Sequence, residues 1–81
     1  MIELQHAVIQ IIASVIDLPE TEILPDMTFT ALQIDSILFI KIVVECESAF
    51  QIEFEDEVLI VDYFKTLQAF IDYIHNLIQH N

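Results

Sequence analysis

The chain has 81 residues, 56% of them apolar, and sets 14 acidic side chains against 2 basic ones for a formal charge of −12 at pH 7. A chain of that length supports one small core, near the lower end of what folds unaided, so residues 1–81 are expected to form a single domain. Its charge is repelled by phosphate backbones and anionic lipid surfaces, which argues against nucleic-acid and membrane-surface binding and makes basic patches on proteins the natural complement.

The first predicted element is a helix over residues 2–17, where Leu4, Val8, Ile11, Ile12, Val15 and Ile16 recur at i, i+3, i+4. Pro19 stops it, because proline disfavours helix in the residue before it and cannot continue the hydrogen-bond ladder. A connection from Leu18 to Ile34, about 17 residues long, is unusual in a compact domain unless it is functional or pinned by its own apolar residues. Ile23, Met27, Phe29 and Leu32 are the candidate anchors. A second helix is expected over 36–49, with Asp35 as the N-cap acceptor for its first free amides. The segment "EDEVLIVDYF" has room for one short helical turn around 57–61. A third helix over 67–78, capped by Thr66, puts Leu67, Phe70, Ile71, Ile74 and Ile78 on one side. Strand-like alternation is confined to "QIEFED". The expected fold is all-α: a small four-helix bundle, three helices main and one short, with a long first loop.

No apolar run approaches the ~18 residues of a membrane span, and "MIELQH" lacks the positive leader of a signal peptide. The lone Cys46 excludes an internal disulfide and fits a reducing compartment, so a cytoplasmic location is expected. Within an apolar helix Cys46 is a packed core thiol. His6, His75 and His80 share no metal-ligand spacing and are expected to be solvated. Glu53, Glu55, Asp56 and Glu57 lack the glycine and regular spacing of a calcium loop, which leaves a solvated charge run suited to a partner's arginines. Neither a metal site nor a catalytic constellation is expected.

The second helix carries the most information. At 100° per residue, Phe39, Ile42, Val43, Cys46 and Phe50 share one side, the core stripe. Ile37, Ile40 and Val44 form a second apolar stripe flanking it. Leu38 falls near the outer face with Lys41, Glu45 and Ser48, at the angle least able to reach the core. The second stripe is either buried by a bundle that surrounds the helix or left exposed as a docking strip. Each aliphatic side chain left wet forgoes roughly 1.5–3 kcal/mol of burial, so an exposed strip should have a use. If the strip is exposed, Leu38→Asp or Val44→Asp weakens recognition by a partner and leaves the fold intact; if either unfolds the domain, the strip is core. Ser36 stands at the head of both stripes, at the positively polarised helix end.

"LQIDSI", the apolar helix ending "ESAFQIEF", and the closing "FKTLQAFIDYI" together resemble the acyl and peptidyl carrier proteins. The resemblance covers essentially the whole chain, including the first loop with its "PDMTF" segment. Asp-Ser-Ile alone is a weak signal; with this length, charge, helix order and closing segment it is strong. It implies that Ser36 takes a 4′-phosphopantetheine arm from coenzyme A, delivered by a separate phosphopantetheinyl transferase. The arm's thiol would then hold an acyl or aminoacyl group as a thioester. Asp35 would cap the helix and present the serine, while Ile37, Leu38, Ile40, Lys41 and Val44 would meet partners. Those partners would be the transferase, an acyl- or aminoacyl-loading enzyme, and downstream synthase or tailoring enzymes, all visiting a monomer that is not itself an enzyme.

Fatty-acid-type carriers tend to be acidic just after the serine, whereas this chain has Leu38, Lys41 and an oily strip. With a longer stretch before the last helix, that is more similar to carriers of polyketide and non-ribosomal peptide assembly, and points to a free-standing carrier for a secondary metabolite. A fatty-acid-type carrier and an unmodified helical interaction domain remain the alternatives. Gln33 and Gln51 stand where the family often has glycine, so a positive φ at either turn would add strain.

Overall fold

Three α-helices carry the fold in the computed structural model, which describes residues 2–80. They are α1 (Ile2–Ile16), α2 (Ser36–Phe50) and α3 (Leu67–Gln79), with single 3₁₀ turns at Glu20–Glu22 and Asp56–Val58. No strand occurs among the described residues. The all-helical bundle is therefore present, with its fourth member reduced to one 3₁₀ turn.

Local chemistry sets the helix ends. α1 closes where Asp17 adopts a left-handed φ of 61° and the Leu18 N–H donates back to the Ala13 carbonyl at 3.2 Å. That is a Schellman closure made without glycine, and Pro19 then bars any further turn. α2 ends the same way, with Gln51 at φ 57° and the Ile52 N–H on the Glu47 carbonyl at 3.2 Å. α3 starts on Thr66, whose hydroxyl accepts the Ala69 N–H at 3.2 Å.

The short helix expected at 57–61 shrinks to Asp56–Val58, held by i→i−3 bonds from Val58 to Glu55 and from Leu59 to Asp56. Of the apolar run 58–61 only Val58 is buried, so no continuous apolar face exists to hold a longer helix.

α1 packs on both α2 and α3, and this widens its buried face. Val8 and Ile12 are buried as expected, but Ile9 and Ala13 join them, while Leu4, Ile11, Val15 and Ile16 are only half-buried. On α3, Leu67, Phe70, Ile71 and Ile74 are buried, whereas Ile78 is exposed and Leu77 takes the half-buried place in the last turn. Phe50, expected in the core, packs half-buried at its edge. The centre is a set of rings: Phe29 meets Phe39 at 5.3 Å and Phe70 at 5.4 Å, both edge-on, and Phe64 meets Phe70 at 5.3 Å. Edge-to-face pairs of this kind add about 0.5–1.5 kcal/mol each beyond the area they bury.

The long first loop is tied down twice. Ile23, Phe29 and Leu32 are buried and Met27 half-buried, the anchoring the sequence implied. In addition, the Leu67 and Gln68 N–H groups donate to the carbonyls of Met27 (2.9 Å) and Pro25 (2.8 Å). The loop thereby satisfies two of the donors that the start of α3 leaves open.

Candidate functional site

The loop delivers the chain to α2 through a tight turn. Leu32 and Ile34 both donate to the Phe29 carbonyl, at 3.1 and 3.0 Å, and Gln33 donates to the Thr30 carbonyl at 2.9 Å. Gln33 itself sits at φ 60°, the positive angle at which glutamine is strained. Because Leu32 and Ile34 are both buried, the register of the next two residues is fixed. Asp35 is extended (φ −87°, ψ −176°) and its Oδ1 accepts the Leu38 N–H at 2.9 Å, the N-cap its sequence position implied.

Ser36 is the first residue of α2 and is exposed. Its hydroxyl has no hydrogen-bond partner among the described residues. Of the histidines, His6 on α1 pairs with Glu20, Nε2 to Oε1 at 3.0 Å, and His75 and His80 belong to the last turns of α3 and its C-cap. The site thus offers an accessible hydroxyl at the positive end of a helix, with no base hydrogen-bonded to it among the described residues.

Below the serine, α2 divides as the wheel implied. Phe39, Ile42, Val43 and Cys46 are buried, while Ile37 is 70% exposed, Ile40 40% and Val44 53%. The second apolar stripe therefore faces solvent. Leu38 is a correction: expected outermost, it is half-buried and packs against the core. It lies seven residues from Glu45, nearly the same bearing on the helix, and Glu45 lines a cleft with Ala7, Gln10, Ile11, Ser14 and Val15 of α1. At 100° per residue Leu38 also lies only about 40° from Ile42, beside the core stripe, whereas Lys41, Glu45 and Ser48 are exposed as expected.

Cys46 is fully buried, and its thiol is pushed up to about 12, first by burial and then by the charges of Glu45 and Glu47. It stays protonated and inert at neutral pH. Glu47 accepts the Phe54 N–H at 2.9 Å and so pins the chain leaving α2. Among the described residues no three His, Cys, Asp or Glu side chains cluster to hold a metal ion, and no helix is long and apolar enough to cross a membrane.

Three exposed apolar residues escaped the sequence reading, Leu24 (53% exposed), Ile60 (61%) and Tyr63 (53%). Tyr63 meets Phe64 at 5.0 Å, and Phe64 meets Phe39 in the first turn of α2 at 6.4 Å. The available signal was the run "VLIV", which holds more apolar residues than one turn can bury.

A family model described as phosphopantetheine attachment site matches residues 6–74, from α1 to within the last turns of α3. The chain belongs to this family. Its carrier domains are not enzymes; they hold 4′-phosphopantetheine covalently and meet phosphopantetheinyl transferases and partner enzymes. No curated protein and no solved structure matches this carrier significantly. The residues present fit such a group, since the exposed Ser36 hydroxyl has no hydrogen-bond partner among the described residues and the α2 N-terminus favours a phosphodiester's negative charge.

Proposed function

We propose that Ser36 is the attachment residue and that residues 1–81 act as one carrier domain, a cytoplasmic monomer bearing acyl or aminoacyl thioesters. The observation that carries this is the exposed, unengaged serine at a capped helix start, inside the span matched by the family. Attachment proceeds by attack of the Ser36 oxygen on the pantetheine-side phosphorus of coenzyme A. The new O–P bond replaces the pyrophosphate linkage, and adenosine 3′,5′-bisphosphate leaves. The serine proton passes to a base on the transferase, since no described residue of this chain hydrogen-bonds the hydroxyl. Asp35 caps the first turn, accepting the Leu38 N–H, and so fixes where α2 begins and where Ser36 stands on it.

Ile37, Ile40 and Val44, with Lys41 and the exposed edge of Leu38, form the surface that the transferase, the loading enzyme and later synthase or tailoring enzymes meet. The strip's apolar character supports a role in polyketide or non-ribosomal peptide-type assembly: from Ile37 to Val44 it has no acid, and Glu45 is the first in α2. A fatty-acid-type malonyl transferase loading this carrier as fast as its own would count against that pathway.

The attachment itself is tested by weighing the protein after incubation with coenzyme A and a broad transferase. The expected result is one phosphopantetheine added to the native chain and none to Ser36→Ala. A gain that survives that substitution, or none with several transferases, rejects the site.

A further inference from the structure

The turn that leads to Ser36 is closed by one side chain. Every amide from Ala31 to Ile34 is bonded: Leu32 and Ile34 to the Phe29 carbonyl, Gln33 to the Thr30 carbonyl, and Ala31 to the Thr28 hydroxyl at 3.0 Å. Thr28 thus caps an isolated turn as a threonine caps a full helix. Its own backbone is held from behind, because the preceding Met27 carbonyl accepts the Leu67 N–H at the head of α3 at 2.9 Å. The hydroxyl is therefore a point fixed to α3, from which the chain runs through Gln33 to Asp35 and Ser36. Thr30 is also exposed, but its hydroxyl makes no hydrogen bond among the described residues.

The far end of the same turn is strained, with Gln33 at φ 60°. Phe29, Leu32 and Ile34 are buried and fix the inner side. Thr30, Ala31 and Gln33 are exposed, so the outer side is held only by the turn's own hydrogen bonds. Without the Thr28 hydroxyl, the Ala31 amide turns to water. The outer side then opens to ease Gln33, and Asp35 and Ser36 shift with it while the buried anchors keep the fold.

We propose that Thr28 is a positioning residue for attachment: through this turn it sets where the Ser36 oxygen stands before a docked transferase. The proposal rests on Ser36 being the attachment residue. Attack on the pantetheine-side phosphorus tolerates little displacement of that oxygen, and a misplacement of about 1 Å costs up to about 100-fold in rate. Ile37, Ile40 and Val44 belong to α2 itself and stay in place, so docking is unaffected. Thr28 governs the rate once the transferase is bound, not the affinity.

The test follows mass gain from coenzyme A in single turnover with a broad transferase, at a temperature where melts show every variant folded. Thr28→Val is expected to lower the saturating rate about tenfold, part of what a full 1 Å misplacement would cost, with the half-saturating transferase concentration unchanged. Thr28→Ala, which also lacks the hydroxyl, should match it, while Thr28→Ser and Thr30→Val load like the native chain. Adding Gln33→Gly to Thr28→Val should recover most of the lost rate, because glycine has no strain to release. No mass gain in the native chain rejects the attachment reading. A native-like rate in Thr28→Val, an equal loss in Thr28→Ser or Thr30→Val, or a loss seen only in the half-saturating concentration rejects the positioning role alone. A loss that Gln33→Gly fails to recover rejects the strained turn as its route.

Discussion

Gln33 occupies a left-handed turn between two buried neighbours, Leu32 and Ile34, while its own side chain is exposed. The turn cannot relax to a negative φ without pulling one of those neighbours from the core. A residue with a Cβ pays roughly 1–2 kcal/mol in that region, whereas glycine pays none there but loses more entropy on folding. Gln33→Gly is therefore expected to stabilise the native state by about 0.5–1 kcal/mol, raising the melting temperature by roughly 2–8 °C for a domain this size. Gln51→Gly should gain less, because the Gln51 Nε2 donates to the Ser48 carbonyl at 3.1 Å and that bond would be lost. Thermal melts of the two variants check both the sign and the order, and a lower melting temperature for Gln33→Gly would remove the strain interpretation.

At the scale of the element, α2 serves two surfaces at once, and Leu38 marks where they part. Its half-buried side chain packs on the core, so Leu38→Asp loses that packing and partly desolvates a carboxylate, and is expected to cost about 1–3 kcal/mol in urea unfolding. Val44→Asp, on the exposed stripe, should change stability by no more than about 0.5 kcal/mol while slowing loading by a partner enzyme. Equal losses from the two would mean the stripe is structural. The contrast also shows which features of α2 were legible. Asp35, the serine behind it and the Phe39–Ile42–Val43–Cys46 stripe depend on spacing and capping within one helix, and sequence states those directly. Leu38 was legible as well, because at 100° per residue it lies about 40° from Ile42 and so at the edge of the core stripe rather than outermost. Ile9 and Ala13 were missed for a different reason, since only the pairing of α1 with both other helices makes them core. The left-handed closure at Asp17 left no trace because this chain has no glycine to flag it. At Gln33 and Gln51, only the resemblance raised the question.

For the whole molecule the dominant long-range term is self-repulsion. The chain carries −12, and the one ion pair among the described residues, His6 with Glu20 at 3.0 Å, is exposed and charged only when the histidine is protonated. The molecule measures 31 × 26 × 20 Å. At about 0.01 M salt the screening length is about 30 Å, so acids anywhere on the surface feel one another; at about 0.1 M it falls to about 10 Å and only neighbours interact. Unfolding separates these charges, so repulsion lowers native stability most at low salt. Raising salt from about 0.01 to 0.1 M is therefore expected to stabilise the fold by about 1 kcal/mol, or roughly 4–8 °C in melting temperature. The same change weakens encounter with any partner that presents a basic rim, because it screens the attraction that steers the two together. Stability and association should thus move in opposite directions across one salt titration, read by melting and by the rate of transferase-catalysed loading. A melting temperature that does not rise would show that the acids are already compensated within the fold. A loading rate that does not fall would show that partners find this carrier through its apolar strip alone.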